Sequence, residues 1–144
     1  MKVVALIGGS CVGKSTLAGA LRNKLGAQIY TGKDYVRLAK GEAKARRMFA
    51  ELLASAVAPV VFVVSEKDQL DLLPKDCVRV LMSAPLEIVR ERFAKRMDGK
   101  LPPPVAAMLE KKHGMFGGIA RDLFLESGNY EVEDACARIA RMIE

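Results

Sequence analysis

The run Gly8-Gly9-Ser10-Cys11-Val12-Gly13-Lys14-Ser15, followed by Thr16, sets glycines, a lysine and a hydroxyl at the spacing Gly, four free positions, Gly-Lys-Ser. That combination suits one task, the binding of a polyphosphate. Glycines let backbone N–H groups turn inward and approach an anion with no Cβ in the way. Lys14 is long enough to reach β- and γ-phosphates, and the Ser15 hydroxyl can join the shell of a Mg²⁺ ion. Cys11 enters through its backbone N–H, which leaves its thiol as a modification site.

Such a loop works only where a strand delivers it to a helix N-terminus, whose unpaired N–H groups and positive dipole end favour negative charge. Both flanks are present. Lys2 to Ile7 is a short apolar run with the look of a buried parallel strand, and Leu17, Leu21 and Leu25 form one stripe of a helix after the loop. Gly26 closes that helix, and residues 27–30 read as a second strand. A helical region from Tyr35 to about Val57 is broken at Gly41; its later half sets Met48, Phe49, Leu52, Leu53 and Ala56 on one face. Val60 to Val64 is a strand apolar on both faces, Val78 to Met82 a fourth strand, and Leu123 to Leu125 a fifth. Between the last two lie a helix striped by Leu86, Val89, Phe93 and Met97, a stiff Leu101-Pro102-Pro103-Pro104 stretch, and a helix from Pro104 to about His113. Val132, Cys136, Ile139 and Ile143 line a terminal helix. Strand and helix alternating in this way predict an α/β fold, a parallel sheet covered on both faces.

At 144 residues and 51% hydrophobic composition the chain is expected to form one domain, residues 1–144, with a real core. No run approaches the roughly 18 apolar residues of a membrane helix, and the apolar start is strand-length, unlike a signal peptide. Cys11, Cys77 and Cys136 are odd in number and widely spaced, which predicts a reduced, cytoplasmic protein without structural metal. The net charge of +6 is scattered among acidic residues with few aromatics, so nucleic acid is not the expected partner.

Ligands of such sheets sit outside the carboxyl ends of the strands, so the residues there are the candidates for chemistry. After the second strand stand Thr31, Asp34 and Arg37, which suit a phosphate-bearing acceptor and equally suit a helix cap with a solvated arginine. After the third, Glu66 fits either a Mg²⁺ shell or a surface turn. After the fourth, Arg92 and Arg96 lie four apart and can clamp a triphosphate, with ion pairing of Arg92 to Glu87 or Glu91 as the alternative. His113, the only histidine, reads as a helix-end cation rather than a catalytic base.

Together these features resemble the P-loop nucleoside monophosphate kinases and, within them, the cytidylate-kinase-like family. The likeness is carried by Gly8 to Thr16, by Tyr30 to Arg37, by Ser83 to Arg92 ending at Arg96, and by Asp122 to Gly128 with the helix that follows. It implies a P-loop NTPase-type three-layer sandwich with a five-stranded parallel sheet in the order 2-3-1-4-5. It implies an acceptor-binding helical region at about 34–57 and a lid at about 97–120 that closes over ATP. Lys14 and Arg96, with Arg92, would stabilise the transferring phosphoryl, and Ser15 would hold Mg²⁺. Thr31, Asp34 and Arg37 would face the acceptor, and Ser127 and Gly128 would lie near the donor base. The chain departs from the pattern in three ways. Ser65-Glu66 stands where a Gly-Arg turn usually follows the third strand, residues 100–120 carry lysines but no arginine, and the chain is short. Lysine lacks the bidentate fork that holds a phosphate.

The expectation is a kinase moving the γ-phosphoryl of ATP to a small acceptor, first of all a nucleoside monophosphate. Kinases of non-nucleotide metabolites, such as the shikimate and gluconate kinases, are the first alternative. A nucleotide-binding protein that no longer catalyses is the second.

Overall fold

The computed structural model describes residues 1–143; Glu144, the last residue of the expected domain, lies outside the described residues. Five strands, β1 (Val3–Ile7), β2 (Gln28–Tyr30), β3 (Val60–Val64), β4 (Cys77–Ser83) and β5 (Leu123–Glu126), form one sheet in the order β2-β3-β1-β4-β5. Every pairing is parallel. The fold class and strand order match the expectation.

β1 is buried along its whole length because both of its faces are covered. Val4 and Leu6 point to one side, where α1 (Lys14–Leu25) and α6 (Val132–Ile143) bring Leu17, Leu21, Cys136 and Ile139. α4 (Leu86–Arg96) and α5 (Pro103–Lys112) extend the same layer through Val89 and Leu109. Val3, Ala5 and Ile7 point to the other side, against α3 (Glu42–Ala54) and the short α2 (Gly32–Tyr35). There Phe49 stacks on Tyr35 and meets Tyr30 and Phe62 edge-on, with ring centroids 4.8–5.7 Å apart. Such pairs add to the roughly 1.5–3 kcal/mol that burying one large apolar side chain contributes.

Some local readings shift. The helical region expected from Tyr35 is two helices; α3 begins after Gly41, as expected of a breaker, but α2 begins at Gly32, where Thr31 caps it. Met48 lies at the edge of the α3 stripe, exposed, and Ala45 takes its place in the core. Only Val89 of the α4 stripe is fully buried. No helix among the described residues is long and apolar enough to cross a membrane.

The register decides where the site lies. Ile7 is level with Val64 on one side and Leu81 on the other. β1 and β3 therefore end together, β4 runs two residues further to Ser83, and the chain leaving β1 turns across the top of β3 and against the end of β4.

Candidate functional site

The first residue of that turn shows why glycine stands there. A Cβ on Gly8 would lie 2.6 Å from the Met82 carbonyl oxygen of β4 and 2.7 Å from the Val12 side chain. The loop can hug the sheet only without it, and the Gly8 N–H donates to the Val64 carbonyl at 3.1 Å. Gly13 has φ +98°, in the region that glycine occupies at little cost, and α1 begins immediately after it. Cys11 also has a positive φ, 63°, which costs a residue with a Cβ about 1–2 kcal/mol.

Lys14 is the centre of the arrangement. Its residue is only 8% exposed. Its ammonium donates to the carbonyls of Gly8 and Gly9 and, at 3.0 Å, to the Ser65 hydroxyl. Burial pulls its pKa from 10.5 down to about 8; Arg96 pushes in the same direction, while Glu66 and Cys11 oppose. A cation held among backbone carbonyls at the head of a helix is poised for a ligand with more negative charge than a carbonyl.

Arg92 reaches across from α4 and clasps the loop. Its Nη1 donates to the Cys11 carbonyl at 2.9 Å and to the Ser127 hydroxyl at 3.1 Å. Ser127 in turn donates to the Val12 carbonyl at 3.4 Å. These bonds, rather than pairing with Glu87 or Glu91, occupy its guanidinium.

A cleft of about 630 Å³ opens over the loop and α1. It collects residues that follow all five strands: Lys14 and Ser15 after β1, Thr31 after β2, Ser65 after β3, Arg92 and Arg96 after β4, and Ser127 and Gly128 after β5. Ser10, Cys11, Gly13 and Thr16 line it as well. Tyr130 and Ser65, both in the wall, were not singled out by sequence; Ser65 had only its place at a strand end as a signal.

The acceptor candidates part company. Thr31 lines the cleft, but its hydroxyl accepts from the Lys33 N–H. The Asp34 carboxylate turns back to accept from the Thr31 N–H at 2.7 Å, the capping arrangement that its spacing also suited. Asp34 and Arg37 line neither cavity, and Arg37 is exposed.

A second cavity, about 320 Å³, lies on the other side of the loop, between the end of β4, α5 and the turn that follows. It shares Ser10 and Ser65 with the large cleft. Glu66 belongs to this side, 3.8 Å from the Lys112 ammonium. His113 ends α5 and donates from Nε2 to the Ala84 carbonyl at 2.8 Å, tying the turn to β4. Sequence placed this whole stretch in a lid and did not distinguish its apolar wall.

No protein-family model matches the sequence, and no curated protein matches it either. Solved structures do. A candidate kinase from Chloroflexus aurantiacus superposes with a TM-score of 0.70 at 13% identity, over 99% of this chain and 98% of that one. The YorR protein of Bacillus subtilis, in complex with phosphorylated GDP, gives 0.67 at 17% identity, over 98% and 95%. Shikimate kinase from Acinetobacter baumannii, in complex with shikimate, gives 0.65 at 16% identity, over 99% and 93%. The fold is therefore the three-layer α/β fold of these structures, with the strand order 2-3-1-4-5, over essentially the whole chain.

Proposed function

We propose that this chain is an ATP-dependent phosphotransferase that moves the γ-phosphoryl of ATP to a small acceptor. The observation that carries the reading is the single cleft in which Lys14, Ser15, Arg92, Arg96, Ser127 and Gly128 meet the phosphate loop. In such transfers the protein contributes position and charge rather than covalent chemistry. The loop N–H groups and Lys14 hold the β- and γ-phosphates. Arg96, at the end of α4 and on the cleft wall, meets the charge that develops on the phosphoryl in flight. Arg92 holds the loop in shape through Cys11 and Ser127. Ser127 and Gly128 flank the donor nucleoside.

Mg²⁺ fits this donor set. No group of three His, Cys, Asp or Glu side chains stands ready for a metal among the described residues. Mg²⁺ bound with nucleotide needs few protein ligands, since phosphates and water fill most of its shell. Ser15 would hold it, and when bound it neutralises charge on the β- and γ-phosphates. Glu66, placed on the smaller cavity, is better positioned to receive a proton from the acceptor than to join Ser15.

The acceptor is a nucleoside monophosphate or the hydroxyl of a non-nucleotide metabolite, and three residues bear on the choice. Asp34 is committed to a cap, and Arg37 stands away from both cavities. A monophosphate retains one observation in its favour, the Arg121 side chain at the smaller cavity, which could face an acceptor phosphate. Phosphorylated GDP and shikimate, the ligands of the two complexes named above, are a nucleotide and a non-nucleotide hydroxy acid. Three free, buried cysteines suit the reducing conditions of the cytoplasm.

ADP release should be measured with ATP, Mg²⁺ and a panel of monophosphates and hydroxylated metabolites. Acceptor-dependent release is expected, and Lys14→Ala should abolish it. Full activity in that variant refutes the mechanism. Binding of ATP with no release for any acceptor would favour a nucleotide-binding protein without catalysis.

A further inference from the structure

The smaller cavity is apolar where a seat for a sugar acid or a nucleotide would be polar. Its floor is Leu81 and Met82 from β4, and its walls are Val89, Met108, Phe116 and Phe124. The cations at its edge already have partners on the protein surface. Lys112 faces Glu66 at 3.8 Å, and the Arg121 guanidinium donates to the Gly117 carbonyl at 2.6 Å while lying over the Phe124 ring. His113 is fixed on the Ala84 carbonyl. A phosphate or carboxylate entering here would have to strip these contacts, and no pair of free arginines offers a bidentate fork in return. Polar groups that remain cluster at the rim shared with the large cleft, where Ser10 and Ser65 lie on both sides and Lys14 donates to Ser65.

We infer that this cavity is the acceptor seat and that it takes a compact alcohol with a largely apolar, aromatic body. The inference rests on the phosphotransferase reading of the large cleft. The body lies against Met108, Phe116 and Phe124, and the hydroxyl points to the rim. In the transfer the alcohol oxygen forms a bond to the γ-phosphorus. The bond from that phosphorus to the β–γ bridging oxygen breaks, and its electron pair leaves with ADP. The hydroxyl proton passes to the Glu66 carboxylate and then to water. The products are a phosphate monoester, ADP and a proton.

The test uses 2-phenylethanol and 3-phenylpropanol as apolar probes and CMP and gluconate as polar ones. ADP release with ATP and Mg²⁺ is expected to be roughly tenfold or more higher with the phenylalkanols. Saturation-transfer NMR on 2-phenylethanol, with a non-hydrolysable ATP analogue present, reads contact without turnover. Met108→Gln and Phe124→Ser change partly exposed wall positions (39% and 48% exposed), so both variants should fold. Each is expected to raise the KM of the alcohol roughly tenfold and weaken the NMR signal, with affinity for the ATP analogue as in the unaltered protein. Release with CMP or gluconate alone overturns the apolar seat and leaves the phosphotransferase reading standing. An unchanged KM in both variants, or NMR contact without ADP release, also overturns the seat. Loss of ATP-analogue binding in the unaltered protein would instead overturn the phosphotransferase reading, and the seat with it.

Discussion

Replacing Lys14 by methionine should leave the protein at least as stable while removing its phosphate chemistry. The buried ammonium has its pKa lowered from 10.5 to about 8. At about 1.36 kcal/mol per unit, keeping that group charged at pH 7 costs the folded state roughly 3 kcal/mol. Methionine removes this cost and keeps the length of the side chain. It also leaves the Gly8 and Gly9 carbonyls and the Ser65 hydroxyl without the donor they now share, a loss of roughly 1 kcal/mol each if water does not replace it. The net expectation at pH 7 is a gain of about 0–1 kcal/mol, or roughly 0–4 °C in Tm for a chain of this size. The dependence on pH identifies the cause. Below about pH 8 the lysine is protonated in both folded and unfolded chains, and the whole penalty is present. Between about 8 and 10.5 the unfolded chain binds more protons than the folded one, so the stability of the unaltered protein rises with pH and the gap to the variant closes. Cys77, Cys136 and Tyr130 have raised pKa values from burial and act in the opposite sense. They are common to both proteins and cancel in the difference. Urea unfolding of the two proteins at intervals from pH 7 to 10.5 measures that gap. A variant less stable at pH 7, or a gap that does not narrow with pH, refutes the account of Lys14 as a strained, desolvated cation.

The two arginines of α4 should separate kinetically. Arg96→Ala is expected to lower kcat by roughly 10²-fold with little change in the KM for ATP. Arg92→Ala, which releases the loop carbonyl of Cys11 and the Ser127 hydroxyl, should raise the KM for ATP more than it lowers kcat; steady-state kinetics with the best acceptor distinguishes these outcomes. Gly8→Ala should destabilise the fold by roughly 1–3 kcal/mol, because its Cβ would meet the β4 backbone, and an unchanged Tm would show that the loop is not pressed to the sheet as described.

The strands and the phosphate loop were legible in sequence because both are written in local terms, whereas the strand order came from the family resemblance alone. Val60 to Val64 is continuously apolar, and the Gly-Lys-Ser pattern sits between a strand and a helix stripe. Boundaries blurred where one residue type serves two purposes. Asp34 three residues after Thr31 has the spacing of a capping box as well as that of a ligand pair, and the cap prevails because its bonds are local and always available. Arg92 could be assigned to Glu87 or Glu91 on its own helix or to a loop 81 residues away; periodicity speaks only of the first. The apolar cavity was invisible for a similar reason. Leu81 and Phe124 stand in strands, Met108 in a helix and Phe116 in a glycine-rich segment, and only the packing of α5 beside the end of β4 brings them around one space.

The loop divides two environments, and its internal costs follow from that position. On one side it must gather N–H groups and a cation toward a polyphosphate; on the other it forms the rim of an apolar cavity. Ser10 and Ser65 are exposed to both. A wall one chain thick cannot relax in either direction, which is consistent with Cys11 holding φ 63° and Lys14 remaining buried with a lowered pKa. Phosphate on the first side would relieve Lys14 by restoring a full counter-charge, raising its pKa and taking up a proton near pH 8–9. Nucleotide binding should therefore be coupled to proton uptake, and the loop that holds the donor is also the surface against which an acceptor hydroxyl must arrive.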